Sequence, residues 1–124
     1  MREFALKVNE DKLIGHAWEV KDPIANVVIF QGMEEYGLRY GHFAKFLNQN
    51  CINAYALDCY GQGSNVKSDF SNESFWPEDG FFKMVDAHYC MVEEAKKMVQ
   101  KLMFLRTQWA ALWVKCLFKD TQEQ

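Results

Sequence analysis

The chain has 124 residues, 49% hydrophobic and 15% aromatic, which is enough for one domain with a core and excludes a disordered chain. Its 14 Lys and Arg and 17 Asp and Glu are interspersed, and the net charge of −3 leaves no basic face, so nucleic acid is not an expected partner. No apolar run approaches the roughly 20 residues of a transmembrane helix, and the N-terminus, MREFALKVNEDK, has no apolar signal region, so we expect a cytoplasmic protein.

The first half of the chain predicts a hairpin followed by strand, helix and strand. Apolar residues alternate at 3–8 and dominate 13–20, on either side of an Asn-Glu-Asp-Lys turn. The continuous apolar run at 27–30 predicts a strand covered on both faces. Apolar residues at helical spacing predict a helix over 40–49, and the next strand is Ile52–Leu57. These elements predict a mixed sheet of the α/β class.

The second half predicts a loop at 67–80 and then one long helix. Pro77-Glu78-Asp79 is typical of a helix start, where acidic groups interact favourably with the helix dipole. The helical stripe that follows is the clearest in the chain: Phe81, Met84, Val85, His88, Met91, Val92, Ala95, Met98, Val99 and Leu102. We interpret the tail, 103–124, as divergent and helical, although its first three residues also fit the start of a strand.

Cysteine spacing gives no sign of a metal or redox site. No CxxC pair or other metal-binding spacing occurs among the four cysteines, Cys51, Cys59, Cys90 and Cys116. In a cytoplasmic chain we interpret them as reduced, buried structural thiols. We expect neither a metal nor a cofactor.

A serine-based catalytic triad is not evident from the sequence. Such chemistry needs a hydroxyl, a base and donors for the oxyanion. No G-x-S-x-G nucleophile elbow surrounds any of the serines, Ser64, Ser68, Ser71 and Ser74. Of the histidines, His88 lies on the helical stripe and is interpreted as packed, His16 lies in a predicted strand, and His42 opens a predicted helix.

The candidate binding elements follow two predicted strands. Gly32 would let the next backbone amides turn toward an oxyanion, and an ordinary turn glycine is the equal alternative. The loop Gly61-Gln62-Gly63-Ser64 lacks the lysine, third glycine and helix of nucleotide-binding motifs, so a nucleotide-binding protein is disfavoured. We interpret Asp58 as a turn-stabilising carboxylate in preference to a catalytic acid.

Two segments of the chain carry a paired motif. Residues 30–40, FQGMEEYGLRY, resemble the segment H-G-x-x-E-H-x-x-R-Y, and residues 56–64, ALDCYGQGS, resemble the turn D-x-x-G-x-G-x-S. Both belong to the monoacylglycerol lipase-like and lysophospholipase-like α/β-hydrolases, of serine aminopeptidase type. The resemblance implies that Met33 contributes an oxyanion-hole amide, with Gly32 as the enabling turn, and that full-length relatives act on small-molecule ester or lipid substrates.

The resemblance implies an incomplete α/β-hydrolase fold, with 1–102 as the N-terminal part of the domain. The family continues with G-H-S-x-G, a lid, a catalytic Asp and a catalytic His, whereas Arg106-Thr107-Gln108-Trp109 occupies the elbow position here. We therefore expect a chain that is inactive by itself. The alternative is a non-catalytic module that binds another protein or self-associates through an unpaired sheet edge.

A reading-frame slip would explain why the family pattern stops. Reading the codons of residues 107–110 one nucleotide earlier permits His-Ser-Met-Gly, and the Trp codon followed by an Ala codon forces that glycine. We expect the coding DNA to contain an intact elbow in the alternate frame, and genuine divergence of the tail is the alternative. Sequencing both sides of the Leu105 codon decides between them, and an alternate frame without the elbow eliminates the slip.

Overall fold

The computed structural model describes residues 1–9, 11–30, 36–58, 80–97 and 101–106. The elements, in chain order, are β1 (Arg2–Val8), β2 (Asp11–Trp18), β3 (Ala25–Phe30), a 3-10 helix η1 (Gly37–Tyr40), α1 (Gly41–Gln49), β4 (Ile52–Leu57), α2 (Gly80–Lys96) and β5 (Leu102–Arg106). The described strands form a five-stranded sheet with the order β1-β2-β4-β3-β5.

The sheet is mixed, as the sequence predicts for the α/β class. Strand β1 pairs antiparallel with β2, and β2 pairs antiparallel with β4. Strand β3 lies between β4 and β5 and is parallel to both, with Asn26 opposite Asn53 on one side and Leu102 on the other. The hairpin turn contains Asn9 with a φ of 55°, a left-handed conformation that asparagine tolerates better than most residues.

Helices α1 and α2 cover opposite faces of the sheet. Because side chains alternate along a strand, each strand contributes to both apolar layers. In β3, Val28 and Phe30 belong to the layer under α2, whereas Val27 and Ile29 belong to the layer under α1. This confirms the prediction that the 27–30 run is covered on both faces.

The first residues of the tail form a strand, which corrects two predicted boundaries. Leu102, assigned to the end of the helical stripe, begins β5, and 103–106 are strand instead of helix, which confirms the alternative interpretation of 103–105. The reason is long-range pairing. Strand β5 extends along β3, and the backbone amide of Asn26 donates to the Lys101 carbonyl at 3.0 Å. The rest of the tail, and the predicted helix start at 77–79, lie outside the described residues.

A smaller correction concerns the hairpin. Asp11 and Lys12, predicted as turn residues, are the first two residues of β2 and pair with Val8 and Lys7 of β1. The ladder therefore continues closer to the turn than the polar composition suggests. Among the helices that the structure describes, none is both long and apolar enough to cross a membrane.

His88 is a core residue, as its position on the helical stripe predicts. Its side chain is 1% exposed, its ring lies 4.7 Å from the Phe30 ring centroid, and its Nδ1–H donates to the Met84 carbonyl at 2.9 Å. Burial lowers the pKa of His88 from 6.5 to about 4, because the charged imidazolium loses its hydration; the bond to Met84 offsets part of the effect. The ring is therefore neutral in the folded protein at pH 7.

The lowered pKa of His88 predicts that acid destabilises the fold. Between pH 6.5 and 4 the unfolded chain binds a proton that the folded chain does not, so the free energy of unfolding falls as pH falls, by up to about 3 kcal/mol across this window. His88→Gln should remove this component in urea denaturation at several pH values. The exposed His42 gives the matched control, His42→Gln, and equal pH dependence of both variants and wild type would contradict the prediction.

Candidate functional site

Asp58 lies at the carboxyl end of the parallel strands, the edge at which α/β proteins bind ligands. It directly follows β4, and its side chain is 1% exposed. Its Oδ1 accepts a hydrogen bond from the Gly37 amide at 2.6 Å, and its Oδ2 lies 3.2 Å from His16 Nε2. Its own amide donates to the Ile14 carbonyl at 3.2 Å. The residue therefore connects β4 with β2 and with the start of η1.

The bond to Gly37 fixes the point at which the chain returns to the sheet after β3. Strand β3 ends at Phe30, and Gly37 is the first residue of η1. A carboxylate that accepts a short bond from a buried amide makes a charge-assisted hydrogen bond, which is stronger than a neutral one. The segment 31–36, which carries the Gly32-Met33 motif, is thus bounded by β3 and by this anchor.

His16 was not recognised from the sequence as a partner of Asp58. It lies in β2 opposite Ala56 of β4, so antiparallel pairing puts it on the same face as Asp58, two residues further along β4. The His16 side chain is 1% exposed, and its ring lies 6.2 Å from that of Trp18. The pair depends on strand register, which a single sequence does not specify.

The amino ends of the parallel strands β3 and β4 carry a second buried polar cluster. Asn53 donates to Asn26 Oδ1 at 3.0 Å and accepts from the Val20 amide at 2.8 Å. Asn26 in turn donates to the Ala95 carbonyl of α2 at 2.7 Å. The hydroxyl of Tyr55 extends the cluster, and its pKa is raised to about 12 by burial and by the nearby Glu19. This cluster links β3, β4 and α2 at the edge opposite Asp58.

Of the site residues that the sequence predicts, the structure describes Asp58. The sequence favours a local role in which Asp58 stabilises its own turn, whereas the structure shows it accepting a hydrogen bond from the distant backbone amide of Gly37. The remaining predicted site residues lie outside the described residues: Gly32, Met33, Gly61, Gly63 and Ser64.

The described cysteines correct one expectation. Cys51 is exposed instead of buried, because it follows α1 in a turn with a φ of 61°, and Cys90 is partly buried. Burial and neighbouring carboxylates raise the pKa of the Cys90 thiol, so it is protonated at neutral pH. Within the described ranges, no three His, Cys, Asp or Glu side chains converge as metal ligands.

Gly37 predicts a sharp substitution test of the Asp58 anchor. A Cβ on Gly37 would lie 2.8 Å from His16 Cδ2, so that something must shift, and 3.0 Å from Asp58 Oδ1, which is tighter than nearly all real Cβ contacts. We expect Gly37→Ala to lower the free energy of unfolding by about 1–3 kcal/mol, as other forms of overpacking do. Urea denaturation measures this change.

Gly41 gives the matched control. It begins α1 only four residues later, and a Cβ there would meet no atom within 4 Å. Gly41→Ala should therefore be neutral or stabilise the protein by about 0.5–1 kcal/mol, because alanine loses less backbone entropy in a helix. Equal losses in both variants would mean that the close packing around Asp58 does not exist.

Comparisons with known proteins agree with this architecture. Solved structures with the same fold include a thermostable carboxyl esterase from Bacillus coagulans (18% identity, TM-score 0.69) and a soluble variant of monoglyceride lipase from Saccharomyces cerevisiae (18%, 0.66). They also include the thioesterase domain from the curacin biosynthetic pathway (16%, 0.72). These three matches cover 85%, 86% and 94% of this chain, but only 34%, 35% and 40% of the respective structures.

The chain therefore spans less than half the length of these structures, in agreement with the incomplete α/β-hydrolase fold that the sequence implies. No curated protein sequence matches it significantly. A family model described as serine aminopeptidase, S33, matches residues 21–110, which is more than half of the chain. With the mixed sheet and its helices, this match shows that the chain belongs to the serine aminopeptidase (S33) family of α/β-hydrolases.

Proposed function

We propose that these 124 residues supply the oxyanion-binding part of a serine hydrolase that cleaves carboxylic esters such as monoacylglycerols or lysophospholipids. The observation that carries the proposal is the buried hydrogen bond that the Gly37 amide donates to Asp58, which connects the two segments of the family motif. Family membership and the lipase and esterase folds among the structural neighbours support it.

The role of the anchor follows from what acyl transfer requires. When a nucleophile attacks an ester carbonyl, negative charge develops on the oxygen, and donors that are already in position stabilise it most. By resemblance, the Met33 amide is one such donor, and the Gly32 turn would aim it. Residues 31–36 follow β3 and end at the Gly37 anchor, so the Asp58 carboxylate would restrict the movement of this donor.

No recognisable motif in these 124 residues supplies the serine nucleophile and the histidine base of the reaction. The 124 residues contain no G-x-S-x-G elbow, whose strained turn exposes the nucleophile of this fold. Among the histidines, His16 and His88 are 1% exposed, which limits their access to a substrate, and His42 is on the exposed side of α1. We therefore propose that the polypeptide by itself does not hydrolyse esters.

Purified protein should show no hydrolysis of p-nitrophenyl butyrate above that of an equal amount of serum albumin, and no labelling by a fluorophosphonate probe. Both measurements report an activated serine, the first by turnover and the second by covalent capture. Turnover that survives purification and is abolished by Ser64→Ala or His88→Ala would contradict the proposal. Because His88 is buried, loss of activity in His88→Ala counts only if urea denaturation shows that this variant is folded.

A non-catalytic, self-associating module is the second candidate. Within the described residues, β5 pairs with β3 on one side and is an edge of the sheet on the other, and edge strands can pair with another chain. A monodisperse dimer in light scattering would favour this candidate over an isolated hydrolase part.

The unpaired thiols of Cys51 and Cys90 support a cytoplasmic location, and the net charge of −3 argues against nucleic acid as a partner.

A further inference from the structure

The outer face of α1 exposes an aromatic pair. Phe43 and Phe46 are 38% and 58% exposed, and their rings stack with centroids 6.4 Å apart and planes inclined by 26°. The inner face of the helix is occupied by Ala44 and Leu47, which pack on the sheet. Because residues three apart share one side of a helix, the two rings form a continuous apolar surface that the core does not use.

Helix α1 has no acidic residue although the protein as a whole is acidic, and the nearest acidic residues before it in the sequence are Glu34 and Glu35. Between 36 and 51 the sequence contains Arg39, His42 and Lys45 but no Asp or Glu, while the whole chain has a net charge of −3. All three basic side chains are exposed. Leu38, 47% exposed, adds apolar area just before the helix. We define the α1 surface as Leu38, Arg39, His42, Phe43, Lys45 and Phe46.

We propose that the α1 surface docks on a bilayer containing anionic lipids. A helix whose exposed side combines aromatic rings with cations can place the rings at the boundary between headgroups and acyl chains while the cations remain near the lipid phosphates. Phe43 and Phe46 supply the rings, and Lys45, which is exposed on the same helix, supplies a cation.

Arg39 and the two rings are residue types found at both protein and lipid surfaces, and it is Lys45 that favours a lipid surface over a protein partner. Lysine is depleted at the centre of protein interfaces because its ammonium group is costly to dehydrate there, whereas at a lipid headgroup its flexible stem leaves the charge in water. The area is small, with two rings and two permanent positive charges, so binding is weak and reversible. It does not depend on whether the chain hydrolyses esters.

Co-sedimentation of the full chain with lipid vesicles tests this proposal. We expect binding to mixed phosphatidylcholine and phosphatidylglycerol vesicles that weakens at high salt, and little binding to phosphatidylcholine alone. Phe43→Ser with Phe46→Ser should reduce the partition coefficient by about tenfold or more. Lys45→Gln should reduce it by about fivefold on the anionic vesicles only.

Phe82 provides the matched control because it is the more exposed ring, at 66%, on a different helix. Its helix, α2, carries Lys83 next to this ring, but Lys83 Nζ lies 4.0 Å from Asp11 Oδ2, and Asp86, Glu93 and Glu94 lie on the same helix, whereas α1 has no acidic residue. Phe82→Ser should therefore bind vesicles as wild type does. All variants are compared only if their urea midpoints show that they are folded, and the exposed Lys45→Gln remains a test if the double serine variant unfolds.

Three outcomes would overturn the proposal. The first is absence of binding to anionic vesicles, and the second is binding that neither salt nor Lys45→Gln weakens. The third is an equal loss in Phe82→Ser, which would indicate general adhesion of exposed rings. A dimer in light scattering that the double serine variant disrupts, without any vesicle binding, would instead assign the α1 surface to a second copy of the chain.

Discussion

A buried carboxylate between an amide and an imidazole determines the arrangement at the carboxyl edge of this sheet. Removing a carboxylate from water is costly unless hydrogen bonds compensate, and Asp58 meets this requirement with Gly37 and His16. These partners come from η1 and β2, while Asp58 itself follows β4. Formation of the site edge therefore requires that the hairpin, the helical segment after β3 and the end of β4 assemble together.

The two faces of the sheet carry apolar contacts, whereas its two ends carry polar contacts. Apolar layers under α1 and α2 supply the core, with β3 and β4 contributing alternate side chains to each. Polar contacts are concentrated where these strands begin and end, at the Asn26–Asn53 pair and at Asp58. This separation is the usual arrangement in open α/β sheets, in which the strands provide rigidity and the loops after them provide chemistry.

Local patterns predict much of this fold because its main elements are strongly periodic. The alternation in the hairpin, the continuous apolar run of β3 and the helical spacing in α1 and α2 each correspond to an observed element. For 103–105 the sequence left strand and helix as alternatives, because a short apolar segment fits either, and pairing with β3 makes this segment part of β5.

The site was less predictable than the fold, because it too depends on contacts between distant parts of the chain. The motif around Asp58 is visible in the sequence, but the identity of its partners is not: Gly37 precedes it by 21 residues and His16 by 42. Both contacts depend on the register of β2 against β4 and on the path after β3. Such information is long-range, and neither propensity nor spacing contains it.

The Asn26–Asn53 pair has a consequence for how the chain reaches this structure. A displacement of β3 by one residue along β4 would put Asn26 and Asn53 on opposite faces of the sheet, and the buried bonds from Asn53 to Asn26 and from Asn26 to the Ala95 carbonyl would be lost. Valine and alanine neighbours would accept such a displacement far more readily. The asparagines thus specify the register of β3 against β4, because they destabilise mispaired intermediates more than they stabilise the native pairing.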